Sequence, residues 1–263
     1  MVWDRDVTPE GIYEKSVTNL WVGDRNTVKW DLAGGQFLLN EGLNKGQDAQ
    51  MFGMQTGLDA STFMFGTERA VESRTGFSFY SFHNYDDTVG NNTTGANFFN
   101  GNSSDIKRVR EFDLYQEFKM YPFGKPLTFW GEYILNEGAD APSSAKFQPA
   151  LKRNHVDPRD ANGFFIGTQL GEAKKKGEWE GYFNYQYIGA NANSGFGDSD
   201  FGNGFTNGKG VNFGLGYALT DFLVLNWNNW VVAPVEPRDD PNASSDRVAQ
   251  TIYRSQLDLV WKF

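Results

Sequence analysis

The chain has no cysteine, two histidines, no long apolar run and no excess of positive charge. Each absence removes a class of function. Without cysteine there is no haem-attachment motif, and a chain crossing an oxidising compartment avoids stray disulfides. With only His83 and His155, a serine hydrolase would need one of them beside an activated serine. No nucleophile-elbow pattern supplies that serine, so neither histidine is read as catalytic. The longest apolar runs, such as Phe222 to Leu225, fall far short of the roughly 18 residues that a spanning helix needs. A net charge of -9 and a pI near 4.8 argue against a nucleic-acid partner, which needs a basic footprint. Met1 is followed by Val2-Trp3-Asp4-Arg5-Asp6, which has neither the basic nor the apolar region of a leader peptide. No segment sustains a helical period.

What is present is aromatic and alternating. Aromatic residues make up 16% of the 263 positions, with 30 Gly, while hydrophobic content is only 39% and mean hydropathy is -0.55. Many aromatics on a polar average fit strands that face lipid on one side and water on the other. The clearest two-residue period is C-terminal. Tyr253, Leu257, Leu259, Trp261 and Phe263 fall on one face, and Arg254, Gln256, Asp258 and Lys262 on the other. Before it, Val211, Phe213, Leu215, Tyr217 and Leu219 alternate with Asn212, Gly214, Gly216 and Ala218. Trp179, Phe183, Tyr185 and Tyr187 alternate with Glu180, Tyr182, Asn184 and Gln186. Phe112, Leu114, Phe118 and Met120 alternate with Glu111, Asp113, Tyr115, Glu117 and Lys119. These are half-apolar strands of about 9–11 residues, the length of a tilted membrane strand.

The connections discriminate further. Residues 121–125, 172–177 and 219–221 read as tight turns. Between them lie long polar stretches at 87–107, 137–161, 190–207 and 234–248. Outer-membrane barrels alternate short periplasmic turns with long external loops in this way, because a membrane makes one end of the wall unlike the other. A soluble carbohydrate-binding β-sandwich explains the aromatics but not one-sided loops. The expectation is therefore an all-β protein, an antiparallel transmembrane β-barrel in a single domain over 1–263. With Phe263 at the periplasmic end, the turn at Thr220 is periplasmic and residues 1–11 start outside. Phe52, Met54, Leu58 and Met64 share one parity, so 48–65 is read as one strand. This gives about eleven strands, or twelve if 48–65 is two strands merged into one near Leu58. An odd count predicts either that merger or strands upstream of this chain, since bacterial barrels are even-numbered. Alternation breaks near Gly34-Gly35.

Specific stretches resemble a known family. Trp3-Asp4-Arg5-Asp6-Val7-Thr8-Pro9-Glu10-Gly11, and Leu170-Gly171 through Lys174-Lys175-Lys176-Gly177-Glu178-Trp179 to Tyr185, are similar to segments of the putative porins of Gram-negative outer membranes. So are Gly197-Asp198-Ser199-Asp200-Phe201-Gly202, Gly208-Lys209-Gly210 and Gly216-Tyr217-Ala218-Leu219-Thr220-Asp221. Leu257-Asp258-Leu259-Val260-Trp261-Lys262-Phe263 resembles the C-terminal signal read by the barrel-assembly machinery. The resemblance covers most of the chain and is most specific from Gly163 onward. It implies further strands ahead of the Trp-Asp-Arg-Asp region, about sixteen in the complete barrel, and a homotrimer in the outer membrane, amid phospholipid and lipopolysaccharide.

On this reading Glu111, Asp113, Glu117, Lys119, Glu132, Glu180, Arg254, Asp258 and Lys262 are the candidate pore-lining residues. Rows of charge on a water-filled wall set which ions pass, and carboxylates outnumber bases among them, which predicts weak cation preference. Spaced evenly along the polar face of a strand, these carboxylates read as wall rather than as a glycosidase pair. Trp179, Tyr185, Tyr187, Tyr217, Trp227, Trp261 and Phe263 are candidates for interfacial girdles, though alternating aromatics in a sandwich core would look the same. Asp198 and Asp200 offer carboxylate oxygens to calcium, but Asp/Gly loops are also ordinary turn chemistry. Lys174-Lys175-Lys176 reads as a solvated turn. The expected function is passive diffusion of ions and small hydrophilic solutes, with no cofactor and no enzymatic chemistry. The competing function is a structural barrel, plugged or sheathing a partner.

Overall fold

The computed structural model describes residues 10–40, 49–63, 70–83, 110–137, 160–189, 192, 208–235, 238–239, 247–248 and 251–262. The strands are β1 (Glu10–Val22), β2 (Asn26–Asn40), β3 (Ala49–Phe63), β4 (Ala70–His83), β5 (Arg110–Met120), β6 (Leu127–Asn136), β7 (Asn162–Gly171), β8 (Trp179–Ile188), β9 (Gly208–Thr220) and β10 (Leu223–Pro234). Two short strands, β11 (Arg238–Asp239) and β12 (Arg247–Val248), pair with each other, and β13 (Ile252–Trp261) is last. The long strands form one eleven-stranded sheet in the order β1-β2-β3-β4-β5-β6-β7-β8-β9-β10-β13. Every neighbouring pair is antiparallel, and each strand lies beside its predecessor in the sheet. A sandwich would bury one sheet face against another; here all eleven belong to a single sheet. Among the described residues no helix is long and apolar enough to cross a membrane, a criterion that does not bear on strands.

The expected strand positions match closely. The segment at 48–65 is one strand, β3, with Phe52, Met54 and Leu58 on the same face; Met64 lies outside the described residues. The tight turns at 121–125, 172–177 and 219–221 join β5 to β6, β7 to β8 and β9 to β10. A single 3-10 turn, Pro122–Gly124, closes the first, with Gly124 at φ +77. The apparent break at Gly34-Gly35 does not end a strand: β2 runs through it, paired on both sides. Gly35 lies on one face with Phe37 and, across the ladder, Gly53, where a Cβ would come within 3.2 Å of the Tyr80 ring. At Gly35 the Ile12 carbonyl, Tyr13 Cβ and the Phe37 ring fill the space a side chain would take, and at Gly53 the Tyr80 ring does.

The two faces of the sheet differ in composition. One is open and apolar: Leu32, Phe52, Leu58, Phe77, Leu114, Phe118, Phe129, Ile166, Phe183, Leu215, Trp227, Leu257 and Leu259 are all exposed on it. The other is crowded and carries most of the charges. Soluble monomers rarely expose an apolar patch beyond a few hundred Å², and here the open face stays apolar from β2 to β13. The buried clusters are correspondingly small: Ile134, Ile188 and Ala192; Ala173, Ala218 and Val224; and Trp230 with Val232.

Candidate functional site

The crowded face is built by alternating bulky and slender strands. β6, β8 and β10 contribute Trp130, Glu132, Tyr182, Gln186, Asn228 and Trp230, whereas β7 and β9 contribute mainly glycine. A Cβ on Gly167 would lie 2.5 Å from the Trp130 ring, and one on Gly214 would lie 2.7 Å from the Tyr182 ring. The glycines therefore leave space into which the large side chains of flanking strands lean. Tyr182 uses that space to donate from its hydroxyl to Asn228 Oδ1 at 2.7 Å.

The strand registers place the candidate wall residues on this one face. Opposite each other on β5 and β6 stand Glu111 and Asn136, Asp113 and Ile134, and Tyr115 and Glu132. Glu111 is 1% exposed and Glu132 7%, so three carboxylates are brought together on two strands. The Tyr115 hydroxyl donates to Glu117 along the same strand. On β13, Arg254 donates to Gln256 Oε1 at 2.6 Å and lies 4.9 Å from the Trp230 ring centroid. Gln256 in turn donates to both oxygens of Asp258, at 2.8 and 2.9 Å. Polar side chains thus form a bonded ladder up β13, each two residues from the next.

Lys119, Glu180 and Lys262 are drawn to the turn end and hold the β7–β8 turn. Lys119 Nζ donates to Glu172 Oε1 at 2.7 Å, and Lys174 pairs with the other oxygen. Lys262 Nζ donates to the Ala173 carbonyl at 2.8 Å, and the Ala173 amide donates to Glu180 Oε2 at 3.0 Å. Gly177, at φ +86, donates its amide to the Ala218 carbonyl, and the Lys176 amide donates to Asp221 Oδ1. The Glu178 carboxylate accepts from the amides of Lys174 and Lys175, and these bonds hold it below its ordinary pKa. Sequence reading made this a solvated turn. The lysine side chains are indeed exposed, but the backbone folds over the crowded face and buries Ala173 against Ala218 and Val224.

Hydrogen bonds from Lys119 and Lys174 hold the Glu172 carboxyl below its ordinary value of 4.5. A carboxylate whose pKa falls on folding contributes stability that is complete above the unfolded value and disappears as pH drops through the folded one. The turn is therefore expected to stay locked from neutral pH down to about 4.5 and to loosen below it. Amide exchange at Ala173 and Gly177, corrected for intrinsic rates, checks this. Lys119→Met should give faster exchange at pH 7 as well, and unchanged protection in that variant would show that the ion pair does not hold the turn.

A second charged group was not found from sequence. Asp31, buried on β2, faces Lys15 Nζ of β1 at 3.6 Å and Arg74 of β4 at 3.9 Å; Arg74 also reaches Asp59 of β3 at 3.6 Å. Gly57 makes the room: a Cβ there would meet Asp31 Oδ1 at 2.5 Å. The available signal was the two-residue step from Lys29 to Asp31 between Trp30 and Leu32, obscured by the glycine break that follows.

The girdle candidates among the described residues occupy the open face. Trp179, Tyr217, Trp227 and Trp261 are exposed on it, with Lys125 Nζ 5.3 Å from the Trp179 ring centroid. Tyr185 and Tyr187 are half-buried, Tyr187 stacked on Phe164 at 5.4 Å and bonded to Asp160. His83 packs edge-on against Phe52. Phe263, His155 and the calcium candidates Asp198 and Asp200 lie outside the described residues. Among the described residues, no three of His, Cys, Asp and Glu are placed to hold a metal ion.

A single up-and-down antiparallel sheet, apolar on one face and charged on the other, is the wall of a membrane-type β-barrel. The family described as Putative porin matches residues 106–236, from the connection ahead of β5 through β10, and the chain belongs to that family. No curated protein matches the chain.

Proposed function

We propose that this chain forms the wall of an outer-membrane pore through which ions and small hydrophilic solutes diffuse passively. The observation that carries this reading is the division of the sheet, with Leu114, Phe118 and Phe129 on the open face and Glu111, Asp113, Glu117 and Glu132 on the other. An apolar face replaces water with lipid at little cost, while charges on the opposite face require a hydrated space. The family match supports a pore in general terms. The chemistry is exclusion by size and field, with no bond made or broken, and the carboxylates of β5 and β6 favour cations. The protein acts as a homotrimer, delivered by the barrel-assembly machinery through its last strand.

Single-channel recording of the detergent-purified protein in a planar bilayer tests this. Stepwise conductance that scales with salt, with steps grouped in threes, is the expected result. Insertion without conductance would overturn it in favour of a plugged or structural barrel.

A further inference from the structure

Past β6 the crowded face loses its charge. On that face of β7, β8, β9 and β10 the only charged side chain among the described residues is Glu180, which is drawn into the β7–β8 turn. Charge returns on β13 with Arg254 and Asp258. Between them stand neutral amides: Asn184 and Gln186 on β8, Asn212 on β9, and Asn226 and Asn228 on β10. A field that sorts ions gains nothing from four consecutive neutral strands.

The registers bring this sector into order. Trp130 faces Gly167, Gly167 faces Asn184, Asn184 faces Asn212, and Asn212 faces Trp230. One row across β6 to β10 therefore reads ring, gap, amide, amide, ring. One step nearer the turn end, Tyr182, Gly214 and Asn228 make the next row. Directly opposed side chains have Cβ atoms about 5 Å apart, so Asn184 and Asn212 stand within reach of one small solute. The Trp130 ring and Asn184 Oδ1 share the space over Gly167, and Tyr182 leans over Gly214. Both rings are half-buried, whereas Trp230 is capped by the Arg254 guanidinium and closes the row. Asn184 Oδ1, Asn212 Oδ1, Asn226 Oδ1 and Gln186 Nε2 have no hydrogen-bond partner within the protein, and Gln186 is only 2% exposed. Buried amides are ordinarily bonded, so this group in one sector calls for a partner from outside the chain.

We propose that the neutral sector of β7 to β10, with Trp130 at its edge, binds an uncharged polyhydroxylated solute, a short oligosaccharide, on its way through the pore. This rests on the pore reading above and names its cargo. A sugar hydroxyl both donates and accepts, and an amide does the same. Rotation of the asparagine amide presents either its oxygen or its nitrogen. The apolar C–H face of a sugar ring lies against Trp130 or Tyr182, so that rings supply contact and amides supply orientation. Other cargo fits less well. A peptide or a phosphorylated solute brings ions that need counter-ions, and the sector offers none. A nucleobase gains most between two facing rings, whereas Trp130 and Tyr182 lean over glycines on different strands.

Current through the reconstituted pore, recorded while maltotriose, cellotriose or raffinose is added, tests this. At least one of the three is expected to interrupt the open current reversibly, with a block that saturates as its concentration rises. In the variant carrying Asn184→Ala and Asn212→Ala the half-blocking concentration should rise about tenfold or more, as expected for lost hydrogen bonds. Asn212→Ala alone gives the same readout should the double variant fail to insert. The proposal is overturned if none of the sugars blocks, if the substitutions leave the block unchanged, or if triglutamate or adenosine blocks as strongly. Conductance in those cases keeps the pore reading intact. If the protein does not conduct, the pore reading fails by itself, and calorimetric titration of the three sugars into protein held in a detergent without a sugar headgroup decides the site. Binding that the substitutions weaken upholds it, and no binding overturns it.

Discussion

Leu114→Arg is expected to cost about 2 to 4 kcal/mol of folding stability in lipid, the penalty for a guanidinium on the lipid face near mid-depth of a barrel. Leu114 is 51% exposed at the middle of β5, flanked across the ladders by Phe77 and Tyr133. In a soluble protein a half-exposed leucine is among the cheaper sites at which to place a charge. The neighbouring change Asp113→Asn, one residue along but on the crowded face, should leave folding near the wild-type level. Urea unfolding in lipid vesicles, followed by tryptophan fluorescence, separates the outcomes. If Leu114→Arg is as stable as the parent protein, the open face does not contact lipid and the barrel reading fails.

The second large effect concerns the three carboxylates shared by β5 and β6. In the variant carrying Glu111→Gln, Asp113→Asn and Glu132→Gln together, the cation preference of the pore is expected to fall several-fold. A wall potential of one thermal unit changes the cation-to-anion partition ratio by about sevenfold, and protein surfaces reach several such units. Reversal potential in a salt gradient is the measurement, made at low ionic strength because the Debye length shrinks to about 3 Å at 1 M salt. Arg254→Gln should shift selectivity the opposite way, toward cations. If the parent pore already favours anions, or the triple variant is unchanged, this stretch of wall does not set the field.

Much of the fold was legible because the C-terminal strands carry strong contrast between their faces. In β13, Leu257 and Leu259 against Gln256 and Asp258 leave one possible phase, and the structure has it. β1 offers no such contrast: Glu14, Ser16 and Thr18 sit on the open face while Tyr13 and Val17 sit on the other. Alternation argues from the rule that lipid-facing residues are apolar, and this rim strand departs from it. The glycines at 34 and 35 removed the signal again in β2, so the cluster of Lys15, Asp31, Asp59 and Arg74 was missed although each residue is visible in the sequence. The β7–β8 turn was legible in part, for a different reason. Three consecutive lysines indicate solvent correctly for their side chains, but where the peptide groups go depends on acceptors at Ala218 and Asp221, about forty residues away, which no local pattern shows.

That turn has a consequence for proteolysis. By sequence, Lys174-Lys175-Lys176 is an open invitation to a protease that cleaves after lysine. Such an enzyme must draw its target into an extended shape and take over the amides for its own binding. Here the amides of Lys174, Lys175, Lys176 and Gly177 are each already committed to an acceptor within the protein. Cleavage would have to wait for the stitch to come undone, so the most basic stretch of the chain is shielded by its backbone while its side chains stand in the open.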